Sequence, residues 1–418
     1  MNMINEMIRK DLNCRICNSS KIINVFELKS TPSGDRFVSK SQLNQTSEIF
    51  PLILAICNKC GYLHLPYILN PKLSYTDYVY ETKVTVGLDN HYVDYVQEII
   101  AYSGIKPYSF VIDLGSNDGT VLKAFKESGM KVLGVEPNEH IAEIANQNQL
   151  DTINDYFSRN VTNRIIREYG SASIITANYM YANIDNIIEF TKNVSRLLDA
   201  EGLFVIQTGY HPEQMKINMF DYIYHEHFSY FSVKVLKQLL KQCGMELIHV
   251  SLHPAKGGSI RAIAQHRDGK RVLDESVELF VKEEENAGMH DPKTYIRFAE
   301  EIDKRKKKVV ELIRKIKSAG HIVVGYGASV STTTLLHHFE IGNYLDYIVD
   351  DNPIKHGLYS PGYHLPVYPS AKLYEENPDY VLVLGWQHQD SIINRNKKFL
   401  EDGGKFIVPL PTLKNIYG

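Results

Sequence analysis

The chain has 418 residues, of which 44% are hydrophobic and 23% charged, and its net charge is −3. That length exceeds one ordinary core and implies two or three globular domains. The near-neutral balance argues against nucleic acid as a partner, and no apolar run reaches the roughly 18 residues of a membrane span. With no signal-peptide-like N-terminus either, a cytoplasmic protein is expected.

Four of the five cysteines form two Cys-x-x-Cys pairs, Cys14/Cys17 and Cys57/Cys60. In a reducing compartment this spacing suits a Cys₄ zinc site better than disulfides, free thiols being the competing reading. With all four positions filled by cysteine the zinc would be structural, stapling a small N-terminal lobe. Cys243 falls at the end of an amphipathic helix and reads as a buried bystander.

Residues 109–120 read as an apolar strand running into a turn containing Gly115 and Gly119; a helix follows, then a second strand over 131–135 ending in Glu136-Pro137. This is a β-α-β unit with an acid placed for the two hydroxyls of a ribose. The turn lacks the Gly-x-Gly-x-x-Gly pattern that cradles a pyrophosphate, so a nucleoside without phosphates, such as S-adenosylmethionine, fits better. Strands follow near 173–177 and 203–207. A hairpin-like pair over 247–250 and 260–264 closes this stretch.

Between them, Tyr224-His225-Glu226-His227 gathers a phenol, two imidazoles and a carboxylate ahead of a helix capped by Ser232 and ended by Gly244. Side chains there can face a cleft and act as general acids and bases; a surface loop is the plainer alternative. A long helix over 292–318 carries the basic run 304–308, read as a solvated face. A second strand–turn–helix contains Gly325, Gly327, Ser329 and Ser331. It either holds a diphosphate at the helix N-terminus or is only scaffold. Trp386, the sole tryptophan, follows a strand over 380–384, where ligands of open sheets bind, or else packs in the core.

Taken in order, these segments resemble the S-adenosylmethionine-dependent C-methyltransferases that act on nucleotide-linked 4-keto sugars. The likeness runs through both zinc knuckles, 77–82, 111–120, 134–137, 224–232, 256–261, 325–328 and 351–357. It implies an α/β protein of three domains: a zinc-binding lobe (1–70), a class I, Rossmann-like methyltransferase domain (71–290) and a C-terminal Rossmann-like domain (291–418). It also implies cofactor contacts at Gly115, Asn117, Glu136 and Asn178, to which Asp113, Ser116, Pro137, Tyr80 and Thr82 are added as candidates. His227 would be the base, with Tyr224, Glu226 and Tyr78 beside the reacting carbon. Candidate contacts to the nucleotide-sugar substrate are Asn183, Lys256, Tyr326, Ser329, Asn352, Lys355 and Trp386.

Asn183 and Lys256 stand where the family commonly has histidine, which leaves the sugar and the ring position open. The expected protein is a monomer or weak homodimer using S-adenosylmethionine and one structural Zn²⁺. Methyl transfer to oxygen or nitrogen of a related sugar, an NAD-dependent sugar oxidoreductase and a zinc-ribbon scaffold are the rival readings.

Overall fold

A computed structural model describes residues 7–70 and 88–417. Tyr78, Tyr80 and Thr82 therefore lie outside the described residues.

The N-terminal part contains β1 (Ile8–Lys10), β2 (Ile22–Thr31), β3 (Phe50–Cys57), β4 (Leu63–His64) and β5 (Tyr67–Leu69). β1 pairs with β5, while β2, β3 and β4 form an antiparallel sheet. The fourth strand of that sheet is β11 (Ser229–Tyr230), contributed from far along the chain and paired antiparallel with β4. The segment carrying Tyr224–His227 is thus tied by backbone hydrogen bonds to the zinc lobe.

Helix α1 (Leu88–Ser103) leads into the central sheet. Its strands are β6 (Phe110–Leu114), β7 (Lys131–Val135), β8 (Thr152–Ile153), β9 (Ala172–Asn178), β10 (Leu198–Gly209), β12 (Met245–His253) and β13 (Ser259–His266). Their order is β12-β13-β10-β9-β6-β7-β8, with β13 antiparallel to both neighbours and every other pairing parallel. The middle strands read as continuous apolar runs because helices cover both faces. On one face Tyr92, Tyr95, Val96 and Ile99 of α1, at helical spacing, pack against Val111, Val205 and Ile263. On the other lie Leu236, Leu239 and Leu240 of α3, a helix placed after α2 (Thr120–Glu127) and spanning Val233–Gln242. Ser232 caps α3 by accepting the Val235 amide at 3.3 Å, and Gly244 (φ +80°) follows its end. Cys243 is buried beside it.

Helix α4 (Pro292–Ser318) crosses to the last sheet, and Lys304 in its basic run pairs with Glu301 on the helix surface. That sheet holds β14 (Val323–Tyr326), β15 (Ile348–Asp350), β16 (Val367–Pro369), β17 (Tyr380–Val383), β18 (Lys405–Val408) and β19 (Lys414–Ile416). It is ordered β16-β15-β14-β17-β18-β19 and parallel except at β19. Helix α5 (Val330–Phe339) follows β14. The hydrophobic cores do not follow the sequence division into three. Phe26, Leu52 and Leu54 of the N-terminal sheet share one core with Phe298, Ile302 and Phe339. The zinc cysteines share another with β6, β9 and α3. Among the described residues, no helix is long and apolar enough to cross a membrane.

Candidate active site

The four cysteine sulfurs converge, all within 4.8 Å of one another, with Cys14–Cys60 at 3.6 Å and Cys17–Cys57 at 3.5 Å. A tetrahedron of sulfurs about 2.3 Å from zinc has edges of roughly 3.8 Å, so this donor set fits a closed structural Zn²⁺.

At the C-terminal ends of β6, β7 and β9 lies a cavity of about 390 Å³, bordered by Asp113, Ser116, Glu136, Asn178, Asn183 and Lys256 among others. The turn after β6 is shaped by Gly115 (φ +66°), where a Cβ would sit 2.8 Å from Met180 Cγ. Glu136 closes the cavity floor, its carboxylate accepting the backbone amides of Asn117 (3.0 Å) and Asn138 (2.9 Å). Burial raises its pKa above the ordinary carboxylate value. Asp113 is fully buried and accepts from Thr176 Oγ1 at 2.6 Å and Asn178 Nδ2 at 3.4 Å; burial pushes its pKa up to about 7. Three buried polar atoms on the cavity wall, Ser116 Oγ, Asn178 Oδ1 and Asn183 Oδ1, have no hydrogen-bond partner among the described residues. Orphaned acceptors around an apolar-walled hollow are what a nucleoside with an amino-acid tail would satisfy. Gly115, Asn117 and Pro137 border the same space, so all seven described cofactor candidates are brought together.

The Tyr224–His227 segment separates its two histidines. His225 is fully buried, with Nε2 against the Pro51 carbonyl at 3.2 Å and its ring edge-on to Phe50. His227 is half-buried, stacked on Tyr224 with ring centroids 4.6 Å apart. Burial, then the positive charge of Lys256, push the His227 pKa down to about 4, so the imidazole is neutral at physiological pH. Lys256 sits in a left-handed turn (φ +52°) between β12 and β13. Its ammonium lies 4.1 Å from the centroid of the Tyr179 ring, and the residue borders the cofactor cavity. One residue thus connects this cavity electrostatically with the candidate base.

Glu226 accepts from Ser33 Oγ at 3.0 Å. Ser33 also borders a second cavity of about 250 Å³ with Arg36 and Phe50. Sequence reasoning missed Ser33; its only local signal is the turn-like run Thr31-Pro32-Ser33-Gly34-Asp35, and its partner is 193 residues away. The same loop meets the C-terminal sheet: Thr333 Oγ1 donates to the Gly34 carbonyl at 2.7 Å, and Lys355 pairs with Asp35 while lying over the Phe37 ring.

Tyr326, Ser329 and Asn352 make contacts within the C-terminal sheet and its turns. Tyr326 donates to the Asp351 carboxylate at 2.9 Å, Ser329 precedes α5, and Asn352 caps the short turn that follows it by accepting the Ile354 amide at 3.1 Å. Trp386 is 2% exposed and donates from Nε1 to Asp221 Oδ2 at 2.8 Å, holding the C-terminal sheet to the segment just ahead of Tyr224.

Three family models match this layout in order: "Putative zinc binding domain" over 14–75, "Methyltransferase domain" over 89–250 and "C-methyltransferase C-terminal domain" over 254–411. The C-methyltransferase NovU of Streptomyces niveus is 30% identical over 407 residues, 97% of each chain. The chain belongs to the C-methyltransferase family. Two solved methyltransferases align with part of this C-methyltransferase. One is the 1,6-didemethyltoxoflavin-N1-methyltransferase of Burkholderia thailandensis, at 17% identity over 47% of this chain and 85% of that one, TM-score 0.34. The other is the magnesium protoporphyrin IX methyltransferase of Synechocystis PCC 6803, at 13% identity over 43% and 83%, TM-score 0.34. Both likenesses are too slight to bear on substrate. The enzyme is a methyltransferase that uses S-adenosylmethionine in its central domain and carries a zinc-binding N-terminal region.

Proposed function

We propose that the enzyme C-methylates a nucleotide-linked 4-keto sugar (dTDP or similar) at the carbon next to the ketone, with His227 as base. The observation that carries this is a half-buried imidazole stacked on Tyr224, on which Lys256, a residue lining the cavity beyond β6, β7 and β9, acts by its charge. A sugar carbon becomes nucleophilic only when a neighbouring carbonyl acidifies its C–H and a base removes the proton. His227 takes that proton; the C–H electrons form the enolate double bond, and the carbonyl electrons move to oxygen. The enolate carbon would then form the new C–C bond with the methyl on the positive sulfur that S-adenosylmethionine supplies when bound, the S–C electrons leaving with the thioether.

A base with so low a pKa is weak, which places more of the work on stabilising the enolate oxygen. Among the described residues, Lys256, whose charge acts on His227, and Tyr224, stacked on it, are the donor candidates, and Tyr78 is a further candidate. Glu226, fixed by Ser33, suits a sugar hydroxyl. The nucleotide end suits the side facing Ser33, Arg36 and the C-terminal sheet, where Tyr326, Ser329, Asn352 and Lys355 lie. Trp386 acts through Asp221 on the position of the Tyr224 segment. The proposed setting is a cytoplasmic monomer or weak homodimer.

Family membership favours carbon over oxygen or nitrogen as the acceptor. The test is incubation with ¹³C-methyl-labelled S-adenosylmethionine and a dTDP-4-keto-6-deoxyhexose, with NMR of the product. A ¹³C methyl on a sugar carbon is expected; an O-methyl product, or none with any keto-sugar, would sink the proposal.

A further inference from the structure

Arg15 sits inside the first zinc knuckle, between Cys14 and Ile16, yet its guanidinium leaves the zinc lobe. The side chain is 8% exposed. Nη2 donates to the backbone carbonyl of Phe228 at 2.6 Å and to Tyr62 Oη at 2.9 Å. Nη1 donates to the carbonyls of Ile184 at 3.3 Å and Asp185 at 3.1 Å. Phe228 is the residue directly after His227, and Ile184 and Asp185 border the cofactor cavity just after Asn183. The rings of Tyr62 and Phe228 lie against the guanidinium, each centroid 5.7 Å from Cζ.

Two further contacts close the arrangement. Tyr62 Oη meets Ser229 Oγ at 2.6 Å, and Arg9 pairs with Asp185 at 2.7 Å. A planar guanidinium with fixed forks can hold two chain segments at a set angle, whereas a lysine ammonium is a single point with a flexible stem. The cysteines on either side of Arg15 fix its backbone when zinc is bound.

We propose that Arg15 is a positioning residue for methyl transfer. It locks the loop that carries the base and the wall of the methyl-donor cavity to one metal-stapled knuckle. Proton removal requires only His227 and the sugar to meet; methyl transfer also requires the sugar carbon and the donor methyl to lie in line. Loosening Arg15 should therefore separate the two events. The inference rests on the reading of His227 as a base.

The experiment uses full-length, zinc-loaded enzyme and its Arg15→Lys and Arg15→Ala variants. Zinc content, Tm, solvent-deuterium wash-in to the keto-sugar without methyl donor, and methyl transfer with it are measured. Expected are one zinc per chain throughout, exchange within about threefold of the parent, and methyl transfer down by on the order of 10²-fold, less in Arg15→Lys. Equal falls in exchange and transfer, or no fall in transfer, would overturn the proposal. If Arg15→Ala does not fold, the same ratio in Arg15→Lys decides. An absence of exchange in the parent would remove the base reading instead. Arg15 is then judged by a fall in kcat at unchanged KM for the donor, and an unchanged kcat would refute it.

Discussion

The coupling between Lys256 and His227 gives the most specific consequence for activity. Burial and Lys256 together lower the His227 pKa from 6.5 to about 4. At pH 5.5 an unperturbed imidazole would be about one-tenth neutral, whereas a group titrating near 4 is about 97% neutral. The acid limb of kcat/KM, which reports the base in the free enzyme, should therefore lie well below pH 6, with rate retained down to pH 5.5. Lys256→Met removes the positive charge, so the protonated imidazole becomes easier to form and the limb moves to higher pH. Burial is the larger cause, so the limb should stop short of 6.5. The assay is methyl transfer by mass spectrometry from pH 4.5 to 8 at sub-saturating keto-sugar, with stability checked at each pH. The limb position is read separately from the absolute rate, which the substitution also lowers if Lys256 steadies the enolate oxygen. A parent limb at 6.5, or one that Lys256→Met leaves unmoved, would refute the reasoning.

Three further outcomes are expected. Cys57→Ser should release the single zinc and lower Tm by on the order of 10 °C, measured by metal analysis and calorimetry, because the lobe that loses its staple also holds β11. Glu136→Gln should raise the Kd for S-adenosylmethionine roughly tenfold, read by titration calorimetry, since a neutral amide keeps one acceptor but loses the charge that strengthens a ribose contact. Asp221 is fully buried and burial raises its pKa from 3.8 to about 7. The folded state thus holds the proton more tightly, so its stability is fully present below pH 4 and lost as pH rises towards 7, by at most about 4 kcal/mol. Asp113 titrates in the same window, and the buried neutral histidines His64, His211, His225 and His338 act there with the opposite sign, so the readout is a difference: the stability of Asp221→Asn relative to the parent should rise as pH goes from 4 to 7, measured by denaturant unfolding.

What could be seen in the sequence was whatever depends on neighbours along the chain. The two Cys-x-x-Cys knuckles converge as their spacing implied, Glu136 ends its strand at the cavity floor, and Ser232 caps its helix. The long helix spans Pro292–Ser318, matching its periodic pattern. What could not be seen depends on contacts between distant segments. Nothing near Ser229 announces that two residues will complete a sheet begun at Ile22, because a two-residue strand has no period to read. Ser33 and Arg15 carry no motif of their own; their partners lie 193 and 213 residues away. The two histidines of the Tyr224 segment are alternating neighbours in an irregular loop, so only the fold could turn His225 into the core and leave His227 half-buried.

Solvent exchange at the sugar carbon tests the central claim most directly. A dTDP-4-keto-6-deoxyhexose is incubated in D₂O with the enzyme and no methyl donor, beside His227→Ala. Deuterium should enter the carbon next to the ketone with the parent enzyme. Exchange and methyl transfer should both fall by about 10²–10⁴-fold in His227→Ala. Exchange at the parent rate in His227→Ala, or methyl transfer by the parent without any exchange-competent proton, would contradict the assignment of His227 as the base.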